Sequence, residues 1–355
     1  MDKGGATSEQ DQLSTLARRR VLVLLGLIIL LAASIFAAIF IGTLGPIGPG
    51  DPVRISFGEA LDAIFQRSGD WVPIFWDVRI PRVLLAALVG AALACAGTAM
   101  QAVFRNPLAD PYIIGVSSGA ALGAASAGLL GLTAAVATFL PPMFAFVSAL
   151  LTVFLVYFLG TVRRKVRVDT LLLSGVAVAA FLGAVVSFLI YFAKEQFHQL
   201  IFWLLGSLSL ASWDVVAVVL PVVVVGTLVV FLHGRDLNAL LLGEETAHNL
   251  GIDPEHLKRL MLGVAALMTA VAVAFTGIIG FVGLIVPHMM RLVLGADHRL
   301  LVPASTLFGA TFLIWSDAVA RTVVAPTVLP VGIITALCGG PFFIYLLRRS
   351  GSGGE

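Results

Sequence analysis

The chain is expected to fold as an all-α polytopic membrane protein of about ten transmembrane helices, and three observations carry that expectation. Of its 355 residues, 59% are apolar and only 12% charged, with a mean hydropathy of +1.03. Soluble domains run nearer half apolar and a quarter charged. Apolar runs of about 20 residues, the helical length that crosses a hydrocarbon core, recur along almost the whole sequence. The runs are continuous rather than alternating with period two, which favours helices over a barrel. The same composition excludes an ordinary globular enzyme and a disordered chain. A net charge of +2, with dispersed Lys and Arg, leaves no nucleic-acid footprint. Cys95 and Cys338 lie far apart in apolar runs, so neither a disulfide framework nor a zinc site is suggested.

A polar tail, residues 1–20, ends in Arg18-Arg19-Arg20 and precedes the first run, Val21–Ile41. That run is longer than the apolar core of a signal peptide, and no small-x-small cleavage site follows, so it reads as an uncleaved helix. The stretch Gly42–Asp77 is rich in Gly and Pro and carries Trp71 and Trp76, residues suited to a membrane interface. Further spans are placed near Val83–Phe104, Tyr112–Gly131, Phe139–Val162, Thr170–Ala193 and Val215–Leu232. The polar loop His233–Arg259 follows, and then Leu260–Thr276, Gly280–Leu294, Val302–Val324 and Val328–Leu347. The seventh and eighth spans are separated only by the glycine-rich Gly277-Ile278-Ile279-Gly280-Phe281-Val282-Gly283. Residues 21–347 thus form one transmembrane domain, and 348–355 form a short tail.

Ten spans put 16 of the 22 Lys and Arg on the side of the N-terminus and 6 on the other. By the positive-inside rule both termini are cytoplasmic, Gly42–Asp77 is external, and His233–Arg259 is cytoplasmic.

Of the 20 Asp and Glu, only Asp317 lies well inside a span. Intramembrane carboxylates mark ion or proton pathways, yet Arg321 follows by four residues and can pair with it along one helix face. No G-x-x-x-x-G-K-[ST] phosphate loop occurs. Gly115-Val116-Ser117-Ser118-Gly119 matches the G-x-S-x-G of a hydrolase elbow, but that motif needs a preceding strand. Gly115, Gly119 and Gly123 recur every four residues, which suits close helix packing. The six histidines show no metal spacing. His198, placed outside, is the one positioned to touch a haem-like cargo. Gly206, Gly226, Gly277, Gly280 and Gly283 read either as helix punctuation or as hinges around a central path. Residues 237–252 read as two short helices broken at Gly243 and capped by Gly251. Leu240, Ala247 and Leu250 are the expected apolar contacts of a docking surface, the alternative being a helix lying on the membrane.

Several longer motifs run in a recognisable order. They are Arg79-Ile80-Pro81-Arg82, the run from Gly97 through Arg105-Asn106-Pro107-Leu108-Ala109-Asp110-Pro111, and Gly115-Val116-Ser117-Ser118-Gly119-Ala120. Gly280-Phe281-Val282-Gly283-Leu284-Ile285-Val286-Pro287-His288, Ala296-Asp297-His298-Arg299 and Leu329-Pro330-Val331-Gly332 follow. Together they resemble the FecCD-type permeases, the membrane subunits of type II ATP-binding-cassette importers for iron–siderophores, haem and cobalamin. The resemblance implies a homodimer in the plasma (inner) membrane, two cytoplasmic ATPase subunits that carry ATP and Mg, and an extracytoplasmic substrate-binding protein. No cofactor is implied on this chain itself. It also implies that Gly243, Glu244, Ala247, Leu250 and Gly251 belong to an ATPase-coupling segment. Val168, Asp169 and Thr170 fall where the family narrows its path, although Asp169 departs from the Ser-Thr often found there. Arg79, Arg82 and Arg321 match arginines that receive glutamates of the binding protein. The expected activity is import of an iron chelate by alternating access, with cobalamin as the alternative cargo. From the residues alone, an intramembrane serine hydrolase built on Ser117, with His288 as base, is the remote alternative.

Overall fold

The computed structural model describes residues 4–41, 55, 57–132, 139–163, 165–192 and 197–351. Residues 42–54 and 56 of the expected external loop, Arg54 included, lie outside them, as does Lys194.

Each of the ten expected spans corresponds to a helix. The first four are α1 (Gly4–Phe40), α3 (Ile80–Val103), α4 (Val116–Leu129) and α5 (Leu140–Gly160). Next come α6 (Val168–Phe192), α8 (Trp213–Leu232) and α11 (Pro254–Thr276), and then α12 (Val282–Leu294), α13 (His298–Thr322) and α14 (Val331–Gly351). Seven of these are long and apolar enough to cross a membrane, while α4, α12 and the apolar part of α14 are shorter. The shortening has local causes. Before α4 the chain makes a 3-10 turn, Pro111–Ile114, and passes through left-handed Gly115 (φ 84°). Before α12 residues 277–281 leave the helix, and Phe281 adopts φ 70°. Non-helical backbone at membrane depth is tolerated only inside protein or beside a cavity.

Some helices are additional to the ten spans, and of these the two in the polar loop match expectation. α2 (Phe57–Leu61) continues into wider π turns at Asp62–Gln66, and a second π segment, Ile74–Arg79, leads directly into α3. α7 (Phe197–Leu204) precedes the irregular 205–212 stretch. The polar loop forms α9 (Gly234–Leu241) and α10 (Glu244–Asn249). A small antiparallel hairpin, β1 (Thr161–Val162) with β2 (Lys165–Val166), joins α5 to α6.

The core sits around α3, α11 and α13. Of the most apolar stretch of α3, 83% lies inside the protein, against 17% for α1. Composition explains the difference. α3 is rich in Ala and Gly, so neighbouring backbones approach closely. A Cβ at Gly90 would lie 2.2 Å from the Gly309 carbonyl oxygen of α13. The peripheral helices instead carry large exposed side chains, among them Phe154, Phe158, Phe181, Phe188 and Val224. Such a surface is stable against lipid tails.

The bundle has two distinct ends. At one, here the clamp end, α1 and α13 finish beside the start of α3. At the other, the loop end, the hairpin, α9 and α10 gather beside the starts of α6, α11 and α13.

Candidate functional sites at the two ends of the bundle

At the clamp end three arginines and one aspartate close on the last turn of α1. A helix terminus leaves its final carbonyls without intrahelical partners and carries partial negative charge. Arg79 Nη1 donates to the carbonyls of Ile39 (3.0 Å) and Phe40 (3.4 Å). Arg321 donates to those of Ile41 (2.7 Å) and Ala38 (3.4 Å). Asp317 binds two of the arginines, Arg321 Nε at 2.8 Å and Arg82 Nη2 at 2.8 Å. The Asp317–Arg321 pair is the one expected from the four-residue spacing. Arg82, 235 positions away in the chain, is an additional partner that no local pattern shows. Arg79 and Arg321 are only 8% and 7% exposed, and the Arg82 side chain is 15% exposed. Most of the hydrogen-bonding capacity of these residues is therefore directed into the chain. Nearby, Trp213 Nε1 donates to the Trp76 carbonyl, and the Arg67 guanidinium lies 4.1 Å over the Trp76 ring. Such contacts suit an interface belt.

At the loop end the two short helices meet at Gly243, whose φ of 118° and ψ of 153° lie where only glycine is unstrained. α10 ends before Gly251, which is left-handed (φ 83°) as its capping position requires. Asp253 then caps α11, and the backbone N–H of His256, helped by that of Glu255, holds its carboxyl below the usual carboxylate range. The surface of this segment differs from expectation. Leu240 and Ala247 are buried against the body, and the apolar side chains exposed here are Leu241, Leu242 and Leu250. Turning Leu237, Leu240 and Ala247 inward is what anchors the two helices. Asn238 ties α9 to α13, accepting from His298 N–H (2.8 Å) and donating to Asp297 (2.8 Å).

Beneath α10 lies Lys258, whose side chain is only 2% exposed. Its ammonium contacts Glu255 Oε1 at 2.5 Å and Glu244 Oε1 at 3.2 Å, and donates to the Val166 carbonyl at 3.0 Å. Glu255 Oε2 in turn accepts from Val166 N–H at 2.8 Å. Val166 immediately precedes Arg167 and the first turn of α6, where Val168 and Thr170 are half-buried and Asp169 is exposed. Lys258 and Glu255 escaped sequence reading. Their three-residue spacing on a helix was the one available signal.

Between the ends, Gly119 and Gly123 let α4 pack against α5. A Cβ at Gly123 would lie 2.2 Å from the Phe144 carbonyl oxygen, and one at Gly119 would lie 2.4 Å from Thr152 Oγ1. Ser117 sits in the first turn of α4, after a 3-10 turn rather than the strand a nucleophile elbow needs. Among the described residues His288 finds no hydrogen-bond partner at Nδ1, and it packs edge-on against Phe342. The side chain of His198 lies outside the described residues. Among the described residues no group of His, Cys, Asp and Glu is arranged to hold a metal ion. Where α7, the 277–281 break and the start of α14 converge, Leu205, Ile278, Gly332 and Ala336 help to line an apolar cavity of about 380 Å³.

This arrangement of broken helices between two charged ends has close counterparts. The model of the FecCD transport family matches residues 27–349. The cobalamin import system permease protein BtuC of Halobacterium salinarum is 52% identical over 275 residues, 78% of this chain and 73% of that protein. The hemin transport system permease protein HmuU of Yersinia pestis is 42% identical over 288 residues, 78% of this chain and 83% of that one. Among solved structures, a metal-chelate type ABC transporter in an inward-facing conformation superposes with a TM-score of 0.78 at 31% identity, covering 93% of this chain and 99% of its own. With the motifs, the fold and these relatives in agreement, the hydrolase reading falls away: the chain belongs to the FecCD transport family and is a multi-span permease subunit of an ATP-binding-cassette importer, a transport component rather than an enzyme.

Proposed function

We propose that the chain forms the membrane path of an importer for a bulky metal chelate, with a corrinoid as the first reading and haem or a ferric siderophore as the second. The single observation that carries the cargo class is the naming of relatives at 52% and 42% identity for cobalamin and hemin. The cavity beside Leu205 and Ile278, at about 380 Å³, is too small to enclose such a cargo, but its apolar lining supports weak, uncharged contact along the path. Asp317, the intramembrane carboxylate, is occupied by Arg82 and Arg321, which argues against proton or sodium coupling and for energy from a separate ATPase. In this reading two copies of the chain enclose the path in the plasma (inner) membrane, and both termini are cytoplasmic. ATP and Mg bind two partner subunits that meet the loop end at Gly243, Glu244, Leu250 and Gly251, with Ala247 positioning the segment from beneath. Val168, Asp169 and Thr170 line the cytoplasmic narrowing.

The clamp end faces outward and receives the binding protein. Of the three arginines, Arg82 has the most surface to offer a carboxylate, whereas Arg79 and Arg321 shape the docking face by holding α1. Reconstitution with its ATPase and binding protein, followed by uptake of labelled cobalamin, haem and ferric siderophore, tests the reading. ATP-dependent uptake of one chelate is expected. Uptake driven by a pH gradient without ATP overturns it.

A further inference from the structure

We infer that Lys258 is a positioning residue that links movement of α10 to the start of α6, and so joins the ATPase-facing segment to the cytoplasmic narrowing. The inference rests on the importer reading given above. The supporting geometry is one ammonium held by three separate elements. It touches Glu244, the first residue of α10, at 3.2 Å, Glu255 on its own helix, and the Val166 carbonyl of β2 at 3.0 Å. Glu255 closes the ring by accepting the Val166 N–H at 2.8 Å. Val166 is thus gripped at both its N–H and its carbonyl by side chains of α11, two residues before the turn that carries Val168, Asp169 and Thr170.

The other connections of these elements favour transmission along this route. α10 is flanked by Gly243 and Gly251, both at positive φ, and neither position has atoms crowding it from another element. The segment is therefore held by buried Ala247 and by the contact of Lys258 with its first carboxylate, rather than by packing at its two glycine ends. The hairpin is only two residues per strand, and its backbone groups at Val166 are committed to Glu255 and Lys258. Glu244 is 43% exposed and Glu255 is 19% exposed, whereas Lys258 is buried. An incoming subunit therefore reaches the node through Glu244. Displacing Glu244 leaves the buried ammonium short of one partner, and the surrounding groups must shift to satisfy it.

The test uses the full chain with Asp169→Cys as reporter and Cys338→Ser to remove the exposed native thiol, reconstituted with the ATPase and binding protein. Two quantities are read: maleimide labelling at position 169 with and without ATP in the reporter chain, and cargo transported per ATP hydrolysed in the chain with Asp169 intact. With Lys258 present, ATP should change the labelling rate. In Lys258→Met that change should vanish, and transport per ATP should fall about fivefold or more, the scale of a typical coupling energy. Glu244→Gln should reproduce the effect in weaker form, and Lys258→Arg should restore part of it. A merely structural role would lower the amount of folded protein without moving either ratio. Should Lys258→Met fail to assemble, Glu244→Gln decides the matter, because its carboxylate is partly in water. An ATP-dependent labelling change of undiminished size in Glu244→Gln, or one that is absent from the parent protein, overturns the inference. Absence of ATP-dependent uptake by the chain with Asp169 intact overturns the importer reading instead.

Discussion

The clamp end and the loop end both bury charge, and they do so in opposite ways. At the clamp end Asp317 is 1% exposed, and Arg79 and Arg321 are nearly as buried. Among the described residues the cluster holds three cations and one anion, and terminal carbonyls of α1 accept from Arg79 and Arg321. At the loop end one buried cation meets two carboxylates, both partly in water. The first cluster has no group that can leave without stranding a charge in an apolar medium. The second has Glu244, which can exchange its partner for water or for another protein. The lesson is that buried charge by itself does not tell a brace from a relay; the solvent access of the weakest member does.

The sharpest way to break this comparison is Asp317→Ala. It leaves Arg82 and Arg321 facing each other without a counter-ion, and a loss of about 3–5 kcal/mol is expected, read as a collapse of folded yield and Tm in detergent. A second variant sharpens it. Lys258→Met removes the central charge of the loop end, but its carboxylates can hydrate, so a smaller loss of about 1–3 kcal/mol is expected in the same Tm measurement. If the two variants lose equal stability, the distinction between the ends is wrong. Gly251→Val isolates the backbone contribution. No atoms crowd that position, so only the positive φ is strained, at about 1–2 kcal/mol. Its Tm should fall slightly while transport per ATP falls clearly, and an unchanged ratio would detach Gly251 from coupling.

The smallest effect is acid sensitivity at the Asp253 cap. Its carboxyl is held below the ordinary value, so its contribution is complete above the unfolded value near pH ~4 and is lost as pH falls through the folded one. The Tm advantage of the parent over Asp253→Ala should be larger at pH 6 than at pH 3. A difference of equal size at the two pH values would show the cap to act without its charge.

Much of this was legible in the residues. The positions of the helices followed from runs such as Val215–Leu232, because the length of an apolar segment is set by the bilayer and not by its neighbours. The Asp317–Arg321 pair followed from helical spacing, and the packing role of Gly119 and Gly123 from their period of four. The facing of the loop helices did not follow. Leu240 and Leu241 are adjacent and chemically identical, yet one is buried and the other exposed, and only the seating of α9 against α3 and α13 separates them.

The sequence by itself determined that this is a many-helix membrane protein, and through its motif order it determined the family, because hydropathy and short motifs are local properties. Only the tertiary structure decided which charges meet. Arg82 reaches Asp317 across 235 residues, and Lys258 reaches Val166 across 92. Such partners are chosen by where helices lie in space, since an ion in a low-dielectric interior must find a counter-charge at a few ångströms whatever the separation along the chain.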